Sequence, residues 1–299
     1  MRVTILYRGP LSSCNYKCHY CPFAKQVDSK QELKNDRDCL DRFVTWCEAC
    51  HSSTLSVFFT PWGEALSRTW YWDAFERLTA LPHVEKVAVQ TNLSCRLAWL
   101  DRCDPTKVGI WATYHPSQVR AARFLEKVEH LRKLSISHSV GMVGMREDFE
   151  TIEELRQRLP SRTYLWVNAY KSQAGYYSAA DIQRLTAVDP HFRLNNTYHP
   201  SLGAACNTGQ SVISVDGTGE IHRCHFVKQS LGNIYRDDLQ TVLKPRLCPN
   251  TSCGCHIGYI HMPHLELQRT FGGGLLERVP VSFKNSRSKH LMEPAADSQ

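Results

Sequence analysis

The stretch GPLSSCNYKCHYCPF sets Cys14, Cys18 and Cys21 in a C-x3-C-x2-C spacing, directly after an apolar run at Val3–Tyr7. Three thiolates within eight residues can wrap around one metal centre, because a loop of that length curls easily. Soft thiolates select zinc, copper(I) or iron–sulfur clusters. A cubane 4Fe–4S cluster takes four ligands, so three close cysteines leave one iron open to a small molecule. A second group lies downstream. Cys206 is followed by twelve residues, then Gly219, then four residues, then Cys224, and CPNTSCGC adds Cys248, Cys253 and Cys255. The intervening SVISVDGTGEIHRC reads as a β-hairpin with its turn at Asp216–Gly217, which brings Cys206 and Cys224 to one place. Five cysteines are one more than a cluster needs. Which two of the last three join Cys206 and Cys224 is open, with Cys253 preferred as one. By spacing alone a structural zinc ribbon competes almost evenly with a cluster.

Positioning such groups requires a scaffold, and the first half of the chain supplies one. Apolar or β-branched runs at Val3–Tyr7, Thr54–Phe59, Val84–Gln90, Val108–Tyr114, Ser135–Val143 and Thr163–Asn168 alternate with helix-like segments near Gln31–Cys50, Arg68–Leu81, Ser117–Leu134 and Phe149–Leu159. Strands alternating with helices predict a parallel sheet with helical crossovers. Six strands suit a partial barrel and are too few for a closed eight-stranded one. The fold class expected is therefore α/β, with the partial barrel over residues 1–170. After Tyr170 one helix is expected at Ser178–Ala187, then short strands, Gly turns and cysteines in a smaller domain over 171–265. Residues 266–299, beginning near GGGLLERVP, carry little pattern and read as a loose tail.

Composition narrows the function classes. Apolar residues make up 42% of the 299, enough to bury a substantial core. The N-terminus is too short and too polar for a signal peptide, and no apolar run approaches membrane-spanning length, which predicts a cytoplasmic protein without membrane contact. In that reducing setting thirteen cysteines argue for metal or catalytic roles rather than disulfides. The scattered Cys39, Cys47, Cys50, Cys95 and Cys103 read as small core residues. The formal charge of +7 is mild, and Lys and Arg are interspersed with Asp and Glu, so nucleic acid is a poor candidate partner.

The first cysteine motif resembles the hallmark of the radical S-adenosylmethionine (SAM) superfamily, carried on the loop after the first strand of a partial (β/α)6 barrel. Further motifs follow in the family's order. Tyr20 stands where an aromatic residue lies beside the adenine. In FFTPWGEAL, Gly63 and Glu64 match the pair that receives the methionyl amino group, with Trp62 in place of a more usual Gly. VAVQTNLS offers Gln90, Thr91 and Asn92 as a wall of the cofactor or substrate pocket. ATYHPS offers Thr113, Tyr114 and His115, the last as a ribose contact, substrate ligand or general acid/base. SVGMVGMRE resembles the adenine-packing pattern, with Val140 and Met142 replacing Gly and Ile while Gly144 and Glu147 are kept.

The later C-x12-G-x4-C spacing resembles the opening of SPASM and twitch domains, which append auxiliary 4Fe–4S clusters, and LGNIY ending at Tyr235 resembles the segment after their hairpin. The resemblance implies reductive cleavage of SAM by a cluster on Cys14, Cys18 and Cys21, and hydrogen abstraction by the resulting 5′-deoxyadenosyl radical. It also implies an electron donor such as flavodoxin or ferredoxin and a peptide or small-molecule substrate; an auxiliary cluster could accept an electron from the substrate radical, giving net oxidation, or bind the substrate, and the first is expected here. Two rival readings are a cysteine-rich zinc protein that binds nucleic acid and a radical SAM-like subunit without turnover.

Overall fold

A computed structural model of the chain describes residues 1–23 and 26–283. Six parallel strands arise where the apolar runs predicted them: β1 Arg2–Arg8, β2 Thr54–Phe59, β3 Val84–Thr91, β4 Val108–Thr113, β5 Ser137–Val143 and β6 Leu165–Asn168. Between them run α1 Lys30–Ala49, α2 Thr69–Ala80, α3 Ala121–Lys133 and α4 Phe149–Arg158. A capping box at Ser29 and Glu32 starts α1, and the same device at Ser178 and Asp181 starts α5, Ala179–Val188. Residues 93–103, which show no clear period, form a loop with one 3₁₀ turn at Ala98–Arg102.

Side-chain alternation gives the sheet two apolar faces. Val3, Ile5 and Tyr7 face the helices with Phe59, Val87, Val89, Ile110 and Met142. Leu6 faces the other way, into the lumen, with Phe58, Ala88, Trp111, Tyr164 and Trp166. Bulky rings fill that lumen only because one wall residue is glycine. A Cβ on Gly141 would stand 1.9 Å from Trp166, so the indole lies flat against the β5 backbone.

The second cysteine group is not hung on a detached module. The predicted hairpin forms as β7 Val212–Asp216 and β8 Glu220–His222, and β9 Ser230–Asn233 adds a third strand. β7 pairs in parallel with β1, so the sheet runs β9-β8-β7-β1-β2-β3-β4-β5-β6. Ile213, Val215 and Ile221 share the helix-side core of the barrel. The turn explains its sequence signature: Asp216 Oδ1 accepts from the amides of Thr218 and Glu220, and Gly219 has φ +84° beneath the Tyr235 ring. Tyr235 of LGNIY and the glycine of C-x12-G-x4-C are thus two halves of one contact.

The expected tail from residue 266 is corrected over its described part. Residues 267–283 close the lumen, because the barrel's polar floor needs a partner. Glu277 is fully buried, accepting from Lys86 Nζ at 2.9 Å and Ser137 Oγ at 2.6 Å, and its carbonyl accepts from Ser139 Oγ. Arg278, 1% exposed, stacks on Trp166 at 4.7 Å and faces Trp111 at 5.4 Å. Low apolar patterning hid this segment, since its anchors are charged. The rest of the expected tail lies outside the described residues.

Gly141→Ala should force the Trp166 ring from its place and destabilise the protein by about 2 kcal/mol, as overpacked cores do. Thermal unfolding followed by circular dichroism would measure it. An unchanged midpoint would show that the lumen is slack.

Candidate metal centre and cofactor site

The loop that carries the first three cysteines is held by carboxylates that sequence reading did not single out. Asp28 accepts from the amides of Ser12 and Ser13 at 3.0 and 2.8 Å and from both their hydroxyls. Burial raises its pKa, but these bonds outweigh burial and hold it below the ordinary range. Asp36, wholly buried on α1, accepts from the Leu11 amide, Trp70 Nε1 and Tyr71 Oη, and burial lifts its carboxyl to about 6. Arg68 Nη2 donates to Ser13 Oγ at 3.0 Å. The only sequence signal for Asp28 and Asp36 is an acid beside or within a helix start that faces a Ser-rich loop.

Gly63 and Glu64 brace the same loop. The Gly63 amide donates to the Leu11 carbonyl and the Glu64 amide to the Ser13 carbonyl, both at 3.1 Å. A Cβ on Gly63 would sit 2.0 Å from the Ser13 carbonyl oxygen, so only glycine permits the approach. Glu64 is 5% exposed and accepts from Thr91 Oγ1 at 2.6 Å, the Asn92 amide at 2.7 Å and the Leu66 amide at 3.1 Å. Burial raises its pKa against those bonds. This corrects the sequence expectation: the Glu64 carboxylate is a buried strut between β2 and β3, not an open acceptor for an ammonium group. Thr91 is likewise spent on Glu64. Asn92, 4% exposed, turns back to the cysteines, with its Nδ2 3.0 Å from Asn15 Oδ1 and 3.7 Å from Cys14 Sγ.

On the opposite side, His115 follows β4 and meets the loop directly. Its Nδ1 lies 3.3 Å from Cys18 Sγ and 2.7 Å from Tyr20 Oη. Burial holds its pKa down to about 4, so the ring is neutral at pH 7. In the neutral tautomer with its proton on Nδ1, that one proton is shared between the Cys18 sulfur and the Tyr20 oxygen, and the two rings lie nearly parallel. Gln90 is exposed at the mouth, and Thr113, on the same lumen-facing register as Trp111, is buried just inside it. Two expected contacts fall elsewhere. Met142 is fully buried on the helix side of β5, because strand alternation gives the lumen face to Gly141 and Val143. Gly144 is covered by Tyr177, whose Oη donates to its carbonyl at 2.6 Å.

The second group gathers around a pocket of about 320 Å³ lined by Cys206, Cys224, Cys248, Cys253 and Cys255. Two short ladders build it, pairing Arg246 with Cys206 and Cys253 with His199. Arg223, 4% exposed, clamps the first of them through the carbonyls of Arg246 and Leu247, a role no motif announced. Cys253 feels Cys255 first, then Cys224 and Cys206, and Cys224 feels Cys206 and Cys248. Cys255 is exposed and is felt by Arg8 and Lys171 at the barrel mouth. Burial pushes the Cys14 thiol up to about 11 and Cys253 up to about 12, so metal binding must displace protons there.

Sulfur spacing tests what each group fits. Tetrahedral zinc with bonds of about 2.3 Å needs thiolate sulfurs about 3.8 Å apart. Among the described residues no three cysteines have sulfurs within 4.8 Å of one another; the one such group of ligand atoms is Asp216, Glu220 and His222. Neither cysteine set is drawn in to single-ion spacing in this structure. Cys47 and Cys50, by contrast, sit on α1 and at its end with no partner pair. The histidines of CHIGYIHMPH divide into buried His256 and His261 and exposed His264.

No protein-family profile matches the chain, and no curated protein is similar to it in sequence. Solved structures are similar in fold. Streptococcus suis SuiB bound to S-adenosylmethionine aligns at 14% identity with a TM-score of 0.56, over 82% of this chain and 66% of that one. Native anSMEcpe with bound AdoMet aligns at 13% and 0.55, over 82% and 81%. The same protein with AdoMet and a Cp18Cys peptide aligns at 13% and 0.54, over 80% and 79%. The chain spans about two thirds of SuiB. It has the radical SAM fold, a partial α/β barrel, with a cysteine-bearing hairpin attached.

Two outcomes check this geometry. Gly63→Ala should cost at least about 2 kcal/mol of loop stability by displacing the Ser13 carbonyl, and should lower the iron retained after anaerobic reconstitution. His115→Ala should keep its iron but make the potential of the first cluster more negative, since a donor to a cluster sulfur favours the reduced state. Redox-poised electron paramagnetic resonance reads that shift, and an unmoved potential removes His115 from the cluster's surroundings.

Proposed function

We propose that this protein is a radical SAM enzyme that acts on a peptide or small-molecule substrate. The observation that carries the reading is the convergence, at the C-terminal ends of six parallel strands, of Cys14, Cys18 and Cys21 with Asn92, Tyr20 and His115. In parallel α/β barrels that end is where sites are built. The three cysteines would hold a 4Fe–4S cluster with one open iron, which a set of three soft thiolates on one loop fits. When bound, the cluster and SAM together supply a 5′-deoxyadenosyl radical that takes a hydrogen atom from a substrate carbon.

The chain's own work is to position and shield. Asp28 and Asp36 accept from the loop amides and Glu64 donates its own amide to the Ser13 carbonyl, which keeps Cys14, Cys18 and Cys21 around one point. Tyr20, held by His115, offers a ring face beside that point, and Gln90 and Thr113 offer polar groups at the lumen mouth. The Trp111 and Trp166 rings, with Arg278 behind them, seal the floor against water.

For the second group we assign Cys206, Cys224, Cys248 and Cys253 as ligands of an auxiliary 4Fe–4S cluster, with Cys255 outside the set. Cys255 is the exposed member of the five, which supports this choice. A fully ligated cluster would accept an electron from the substrate radical, giving net oxidation. Electrons for the first cluster would come from a flavodoxin or ferredoxin. Among the described residues no helix is long and apolar enough to cross a membrane, in keeping with a cytoplasmic setting.

Anaerobically reconstituted protein should contain about eight irons per chain, and the Cys14/Cys18/Cys21 triple alanine variant about four. Reduced wild type should release 5′-deoxyadenosine from SAM without substrate, and the triple variant should not. Colourless protein with stoichiometric zinc would defeat the reading. An iron-replete protein that never cleaves SAM would make it a non-catalytic scaffold.

A further inference from the structure

We propose that the substrate presents an anionic group to Arg8 and Lys171, two cations at the barrel mouth. The inference rests on the enzymatic reading above and names its substrate class. Arg8 ends β1 and follows Leu6 onto the lumen face. Its Nε donates to the Thr60 carbonyl at 3.0 Å, and its guanidinium lies 4.0 Å above the Trp62 ring. Lys171 follows β6 and donates to the carbonyls of Asn195 and Gly254, with its ammonium 5.3 Å from the Tyr198 ring. The Cys255 thiol acts on both cations, and Cys253 on Lys171 as well, so both stand on the side of the mouth that the second cysteine group borders.

Neither cation has a carboxylate partner among the described residues, although ion pairs occur elsewhere on the chain. The acids of the adjoining hairpin, Asp216 and Glu220, gather around His222 instead. The wall beside Arg8 adds His225, which bridges Thr60 Oγ1 at 2.8 Å and Ser214 Oγ at 2.6 Å. A partly buried cation whose partners are neutral carbonyls and ring faces has lost water without gaining a counter-charge. An arriving anion supplies that charge, and the guanidinium fork with its unused nitrogens matches a carboxylate or phosphate. The competing use of these cations is to offset the charge of an auxiliary cluster. Neither lines the pocket of the second cysteine group, although Gly254 and Tyr198, which Lys171 touches, do; the effect of the variants on the auxiliary cluster's potential separates the two uses.

The test uses full-length protein reconstituted with iron and sulfide and supplied with SAM. Isothermal titration with glutarate, inorganic phosphate and uncharged glutaramide compares two anions with a neutral analogue of the first. Saturable binding of an anion but not of glutaramide is expected, and the tighter anion tells a carboxylate from a phosphoryl substrate. Arg8→Gln and Lys171→Gln should each weaken that binding roughly tenfold, the usual effect of removing a charged hydrogen-bond donor. Arg8→Lys should recover part of it, which decides the matter if Arg8→Gln proves unstable. Equal binding of all three probes overturns the proposal. So does a variant that shifts the auxiliary cluster's potential while its anion binding stays as in wild type. Release of 5′-deoxyadenosine by wild type in the same preparation separates this failure from a failure of the enzymatic reading.

Discussion

The arrangement depends on the close approach of two backbones, the cysteine loop at Ser13 and the turn at Gly63. No side chain fits between them, and the Glu64 carboxylate directly behind is bonded to the end of β3. These few contacts join the exits of β1, β2 and β3 into one rigid unit. A loop with three cysteines has little internal reason to hold one shape, since its residues are polar and its metal is external. Here the shape is imposed from outside, by the buried Asp36 and the partly exposed Asp28, which accept from loop amides. Asp36 is costly to bury alone and is retained because both its oxygens find donors.

The barrel contributes a different kind of order. Its outer face is an ordinary apolar layer under helices, whereas its lumen is a stack of rings, histidines and one buried arginine. Glu277 and Arg278 close that stack from a segment far away in sequence. β6 is an edge of the sheet, whereas β1 is flanked by β2 and β7. The segment carrying Cys253 and Cys255 reaches the exit of β6, where the Gly254 carbonyl accepts from Lys171.

Much of this was legible in the sequence. Period-two apolar runs located all six parallel strands, and the C-x3-C-x2-C spacing located the centre. The turn chemistry of Asp216 and Gly219 located the hairpin. Other parts were hidden for identifiable reasons. Met142 read as a cofactor contact because the motif counts residues, whereas the side of a strand depends on parity, and Gly141 holds the lumen position. Glu64 read as an open acceptor because the motif is silent about Thr91 and Asn92 reaching back to it. Arg8, Lys171 and Arg223 sit singly in unremarkable stretches, and only the fold brings them to the metal groups. The closing segment at 267–283 is anchored by charges whose partners lie more than a hundred residues away, beyond any local pattern.

The parallel pairing of β7 with β1 has a consequence for distance. The strand leading into the first cysteine loop and the strand leading into the second share a ladder from Thr4–Val212 to Arg8–Asp216. The separation of the two cysteine groups is therefore set by backbone register, not by a hinge between domains. Transfer of an electron across such a gap falls steeply with length, and a continuous sheet keeps that length nearly constant as the molecule breathes.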